Sequence, residues 1–264
     1  MMPTAGVIDL SVWQVGLAAV LVGVVIVISA RQALGIERDL VVGTVRTIVQ
    51  LYLVGFILAS VFTAGRWYWV ALMLIAMTLV ATQAAVSRLK NPIPGRYEIA
   101  ATAIVVSTAM TLGWVIVVVV RVHPWYEPQY VIPIAGMILG NAMTSAALAG
   151  DRLQSDLRAR MDEIEAMLAL GFPGGEAVRP MVRSAVRAAM IPTVSGMMTV
   201  GLVQLPGMMT GQILAGASPL VAIEYQIVVV FMLAVATSIA SLLFVRLAVR
   251  RYLTPAHQLR RYLL

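Results

Sequence analysis

The sequence predicts an all-α polytopic membrane protein, and three observations carry that reading. Of its 264 residues, 61% are hydrophobic and only 12% charged, where soluble domains are roughly a quarter charged. Seven apolar stretches each come close to the ~20 residues a helix needs to cross the hydrocarbon layer. None alternates apolar and polar residues as barrel strands do, even where β-branched residues crowd together from Val115 to Val120.

In chain order the predicted spans are residues 11–30, 40–62, 67–86, 99–120, 131–149, 188–205 and 219–245. The first ten residues hold Asp9 and no basic residue. They lack the charged start of a cleavable signal peptide, so the first run reads as an uncleaved span. The loops after spans one, three, five and seven hold 16 of the 19 basic residues, and those after spans two, four and six hold only Arg66 and Arg121. Short arginine-rich loops stay in the cytoplasm, so the N-terminus is expected outside and the C-terminus inside. Trp67, Tyr68, Trp69, Trp125, Tyr126 and Tyr130 then mark the outer boundary, where amphipathic rings settle at headgroup level. The whole chain, 1–264, reads as one multi-pass domain of the plasma membrane, interrupted by a cytoplasmic segment at 151–187.

Composition also excludes function classes. Without cysteine there is no disulfide, thiolate metal site or thiol nucleophile. The net charge of +7 is spread over loops rather than gathered with aromatics in a patch, which argues against nucleic acid. No hydrolytic triad or catalytic carboxylate pair is present. The phosphate-cradling Gly-x-x-x-x-Gly-Lys-Ser/Thr pattern is absent, and the single lysine, Lys90, sits in Leu89-Lys90-Asn91-Pro92. Any ATP and magnesium would therefore be bound by another subunit, with no cofactor held by this chain.

The 151–187 segment is the main polar feature. Leu153, Leu157, Met161, Ile164 and Leu168 recur at helical spacing, with Arg152, Asp156, Arg160 and Glu163 on another face. Gly171 and then Phe172-Pro173-Gly174-Gly175 stop that helix. A second helix starts near Glu176 and bends at Pro192. Glu165-Ala166-Met167, Gly171 and, further on, Ile191-Pro192 resemble the coupling segment of ABC-transporter permeases. Their pattern is Glu-Ala-Ala, three residues, then Gly; Met167 stands here for the second alanine. The resemblance implies that Asp162, Glu163, Glu165, Ala166, Leu170 and Gly171 dock on an ABC ATPase subunit. The other reading is an amphipathic helix lying on the bilayer.

Beyond span six runs Leu205-Pro206-Gly207-Met208-Met209-Thr210-Gly211-Gln212-Ile213-Leu214-Ala215-Gly216, with Tyr225-Gln226 after it. It is too short and glycine-rich for a span and too apolar for an exposed loop, so a re-entrant or tightly packed outer turn is expected. This run, Gly140-Asn141-Ala142-Met143 and Arg46-Thr47-Ile48-Val49-Gln50-Leu51 resemble the FetB family of bacterial permeases linked to iron export, which is related to plant membrane proteins of aluminium tolerance. The similarity covers essentially the whole chain. It implies a permease that dimerises, pairs with an ATPase, and exports iron or another metal ion.

Pathway candidates each keep two readings. Arg46 and Gln50 lie one turn apart on span two, as a gate or as a snorkelling pair. Asn141, Thr144 and Ser145 sit beside Gly136-Met137-Ile138-Leu139-Gly140, as pathway lining or as close helix packing. Glu224, the one carboxylate within a span, with amide oxygens from Gln212 or Gln226 and the thioethers of Met208 and Met209, offers cation ligands; it also suits an interfacial anchor, and the methionines suit core packing. No metal-ligating set is assigned. Against the ATP-driven permease stand an ATPase-independent channel or secondary transporter for a small cation, and a non-transporting scaffold.

Overall fold

The computed structural model describes residues 11–89, 93–254 and 258–263; the first ten residues, with Asp9, and Lys90 lie outside them. Among the described residues the chain is helical, with two isolated β-bridges and no strand. Helices α1 (Val12–Gln32), α2 (Glu37–Ala64), α3 (Trp67–Ser87), α4 (Arg96–Trp114) and α5 (Pro128–Ala159) are followed by two short ones, α6 (Met161–Ala169) and α7 (Gly174–Ala177). Then come α8 (Arg179–Thr199), α9 (Gly207–Leu214) and α10 (Pro219–Tyr252). The β-branched run Val115–Val120 stays helical but widens to π geometry, consistent with branched side chains crowding a tight helix.

α5 is the central post, packed against α3, α4, α8 and α10. Small residues at its contacts let neighbours come close: Ala103, Ala142, Ala146, Ala149, Ala185 and Ala240 are all fully enclosed. Lipid tails are as apolar as leucine, so close van der Waals approach of small residues is what holds such helices together. At 32 residues, α5 is about 48 Å long, well beyond the ~30 Å hydrocarbon layer. The helix is thus longer than one crossing needs, and its arginine-bearing end stays helical, as the leucine periodicity predicts. Leu153 and Leu157 there are completely buried.

The α1–α2 hairpin stands apart from this body. α2 meets it at the aromatic end, where Val61 joins Val70 and Val131 in a buried cluster. The other half of α2 is exposed along its length.

The sixth predicted span, 188–205, needs correction. Among the described residues, six helices are long and apolar enough to cross a membrane, and α8 is not one of them. It begins with Arg179, Arg183 and Arg187 and stops at Thr199. Hydropathy continues through Val200, Leu202, Val203 and Leu205, but the backbone does not: Gly201 is left-handed at φ +83°, and its N–H turns to the Gln204 carbonyl (3.0 Å). An apolar run signals burial in lipid or protein, not continuity of the helix.

Register shows how the crossing is completed. Gly150 of α5 lies against Phe244 of α10, and Asn141 shares a cavity with Gln226 and Val230, so α5 and α10 run parallel. Arg152 of α5 donates to Ser184 of α8 (3.4 Å) while Asn141 lies level with Gly196, so α8 runs opposite to both. Thr193 meets Thr237. Six residues on, Thr199 is level with about Phe231, leaving α10 to rise about 18 Å further to its start at Pro219. The 200–206 turn and α9 span that gap. The passage between α7 and α10 is thus a discontinuous helix, broken short of the level where α10 begins.

Candidate functional site

The segment below α5 gathers the predicted coupling residues, and the break between α8 and α9 takes in one predicted pathway residue.

Below α5, the helix kinks at Arg160 and restarts as α6. Ile164 is fully buried and ties α6 to the α5–α8–α10 core. α6 ends as the Gly-Phe-Pro-Gly-Gly run predicts. Gly171 is left-handed (φ +87°), its N–H goes to Leu168, and that of Phe172 goes to Met167. This is the paired bonding by which a glycine closes a helix C-terminus. On the outer face, Asp162, Glu163, Ala166, Gly171 and Phe172 are exposed, and Leu170 is 78% exposed at the tip. On the polar face of α5, Arg152 and Asp156 pair at 3.2 Å. Arg160 pairs with Glu163 instead of Asp156 (3.9 Å), because the kink turns it away from α5.

Glu165 is engaged differently from the other candidates. Its two carboxylate oxygens accept from Nε and Nη2 of Arg261, in the short C-terminal turn Arg261–Leu263. The guanidinium's hydrogen bonds hold Glu165 below the usual carboxylate range. A lowered pKa adds stability that is present above the unfolded value of about 4.3 and lost as pH falls through the lowered folded value. The C-terminal turn is therefore expected to stay docked at neutral pH and to release only in acid below the ordinary carboxylate range. Since the chain has no cysteine, a spin label on Tyr262→Cys reports this alone, and Glu165→Gln should free the label at neutral pH.

At the second place, the broken crossing borders a half-open cavity of about 270 Å³ lined by α5, α8, the 200–206 turn and α10. Its polar lining is Asn141, Thr193, Gln204 and Gln226, with Met197 beside them. Of the predicted pathway residues only Asn141 lies here. Thr193 and Gln204 are additions, signalled by the cluster Pro192, Gly196 and Gly201, and Gln226 was named only as an alternative amide ligand beside Glu224.

The other candidates are dispersed. Thr144 is exposed, donates to the Gly140 carbonyl (2.9 Å) and accepts from Arg88 (3.2 Å). Arg46 and Gln50 lie exposed on the free half of α2, away from the cavity. Met208 packs on the aromatic-end cluster, and Met209 and Gln212 are half-buried on α9. Glu224 is exposed. Two positions from Gln226 on a helix of 3.6 residues per turn, it faces the opposite side from the cavity. Structure thus separates Glu224 from the methionines and amides that sequence proximity suggested as its co-ligands. Among the described residues no group of three or more His, Asp or Glu is placed to hold a metal ion.

Comparison with known proteins fits this architecture. Residues 12–253 match the family described as "Uncharacterised protein family (UPF0014)". The UPF0014 membrane protein slr1647 of Synechocystis is 39% identical over 247 residues, 94% of each chain. The probable iron export permease protein FetB of Escherichia coli is 37% identical over 246 residues, 93% of each. Protein ALUMINUM SENSITIVE 3 of Arabidopsis thaliana is 35% identical over 242 residues, 92% of this chain and 87% of that one. No solved structure matches. The long apolar helices and the full-length similarity to membrane proteins agree, and the chain belongs to the UPF0014 family of multi-pass membrane proteins.

Proposed function

We propose that this chain is the membrane-spanning permease subunit of an ATP-driven ABC transporter, exporting iron or another metal ion. A separate ATPase subunit binds ATP and magnesium and docks on α6. The observation that carries this reading is the form of α6. It is a short helix fixed to the bundle by Ile164, with Leu170 and Phe172 exposed at its tip and Asp162 and Glu163 beside them. Apolar side chains standing clear of the core within a charged rim are what a protein partner covers. α6 also follows α5 directly, so force on it reaches the wall of the cavity at Asn141.

A second copy completes the pathway. Arg46 and Gln50 lie bare on a predicted span, where a charge facing lipid costs about 2.5 kcal/mol or more; a facing copy offers polar surroundings instead. The relative named as an iron export permease supports the cargo class. An ion in transit needs contacts weak enough to leave, so a dispersed set of donors is compatible with metal cargo.

The test is flux from proteoliposomes loaded with radioactive iron. Export that requires the ATPase subunit and hydrolysable ATP is the expected result. Flux from the purified chain alone would instead establish the channel or secondary-transporter reading.

A further inference from the structure

The cavity at the break has a chemical bias that its residue types alone do not reveal. Asn141 spends an amide hydrogen on the Met137 carbonyl (Nδ2 to O, 2.9 Å). That contact fixes which end of the amide is which, since an oxygen in the same place would face another oxygen. Its Oδ1 is left as the free group. Thr193 gives its hydroxyl hydrogen to Thr237 (3.3 Å), which also leaves oxygen lone pairs. Gln226 is only 8% exposed, and its Oε1 has no hydrogen-bond partner. The main chain adds to this. In an unbroken helix the N–H groups of Gly201 and Leu202 would cover the carbonyls of Met197 and Met198; here they turn to Gln204 and Thr199. The negative end of the α8 dipole is thereby left at the break.

So one half-open cleft presents several oxygen acceptors, and at Asn141 and Thr193 a hydrogen is already given elsewhere. No arginine, lysine, aspartate or glutamate lines it. Unsatisfied acceptors at membrane depth are costly unless something supplies positive charge. Divalent ions held by oxygen normally take carboxylates, whereas neutral carbonyl oxygens suffice for alkali ions, and broken helices use them in that way.

We infer that the break between α8 and α9 is a binding site for a monovalent alkali cation. The oxygens of Asn141, Thr193 and Gln226, together with the open carbonyls at the end of α8, coordinate it. The ion's role is to satisfy the broken backbone and set the angle between the two half-helices. The inference does not depend on the chain being driven by ATP or on the cargo.

The experiment is thermal unfolding of the purified full-length chain in detergent, with sodium, potassium or choline chloride at fixed ionic strength. A saturable rise in melting temperature with one alkali ion relative to choline is expected. Asn141→Leu and Gln226→Leu should each weaken its apparent affinity about tenfold or more. Asn141→Asp supplies the missing charge and should make melting respond to calcium or manganese, which leave the wild type unmoved. The inference is overturned by equal melting in all three salts, meaning a cavity that holds only water. It also fails if the alkali response survives in both leucine variants, or if divalent ions stabilise the wild type as strongly as alkali ions. If Asn141→Leu fails to fold, the wild-type salt series and Gln226→Leu still decide. Because the readout is unfolding, ion binding without transport would sink the permease reading alone, and ATP-driven export with salt-independent melting would sink only this one.

Discussion

Leu170→Glu should strip the ATPase subunit from the co-purified complex while leaving the amount of membrane-inserted chain unchanged. Leu170 is 78% exposed and caps α6 without joining either buried cluster. A surface substitution of this kind usually changes stability by only about 0.5 kcal/mol. At an interface, an apolar anchor of this type is worth about 2 kcal/mol or more, about thirtyfold in affinity, and a buried carboxylate in its place adds desolvation cost. Glu165 makes the result interpretable. Glu165→Arg is also expected to lose the ATPase, but it breaks the pair with Arg261 as well. Arg261→Glu breaks the same pair from the other side, and the double exchange restores it with reversed sign. If Glu165 acts only by holding the C-terminal turn, the double variant regains the ATPase. If its charge meets the partner directly, the double variant stays uncoupled. Leu170→Glu that retains the ATPase at full yield would refute α6 as the docking element.

How much was legible in the sequence depends on which physical signal each element left. The long spans were legible because hydropathy over ~20 residues is set by lipid alone. The end of α6 was legible because Gly171 and Pro173 act locally, through backbone conformation. The break in the sixth crossing was not, since Val200 to Leu205 is as apolar as a span and its interruption rests on one left-handed glycine, Gly201. Asn141 was found from its place in an apolar run. Gln226 was offered only as an alternative amide ligand beside Glu224, because charge draws attention, although helical phase puts only Gln226 toward the cavity. The Glu165–Arg261 pair joins residues 96 apart in sequence, and no local pattern encodes such a contact.

Glycine gives the sharpest case, and with it the second large effect. Gly136 and Gly140 were the sequence's candidates for close helix approach. At Gly136 an added Cβ would meet only the flexible Met77 tip at 3.2 Å, and at Gly140 nothing within 4 Å. At Gly150 it would sit 2.6 Å from the Phe244 ring and 2.8 Å from Leu89. Replacing a mid-helix glycine by alanine favours the helix by about 1 kcal/mol, so Gly140→Ala should raise thermal stability of the isolated chain by up to that amount. The same change at Gly150 adds an overpacking cost of about 1–3 kcal/mol. The Phe244 ring cannot swing aside, being fully buried, so Gly150→Ala should lower stability and Gly150→Val lower it further. Phe244→Leu removes the ring edge that collides. In that background Gly150→Ala should become neutral or stabilising, a sign reversal that only direct contact between the two sites produces. Additive losses in the double variant would mean that α5 and α10 do not meet at this point. Such a result would also undo the parallel register that places the broken crossing between them.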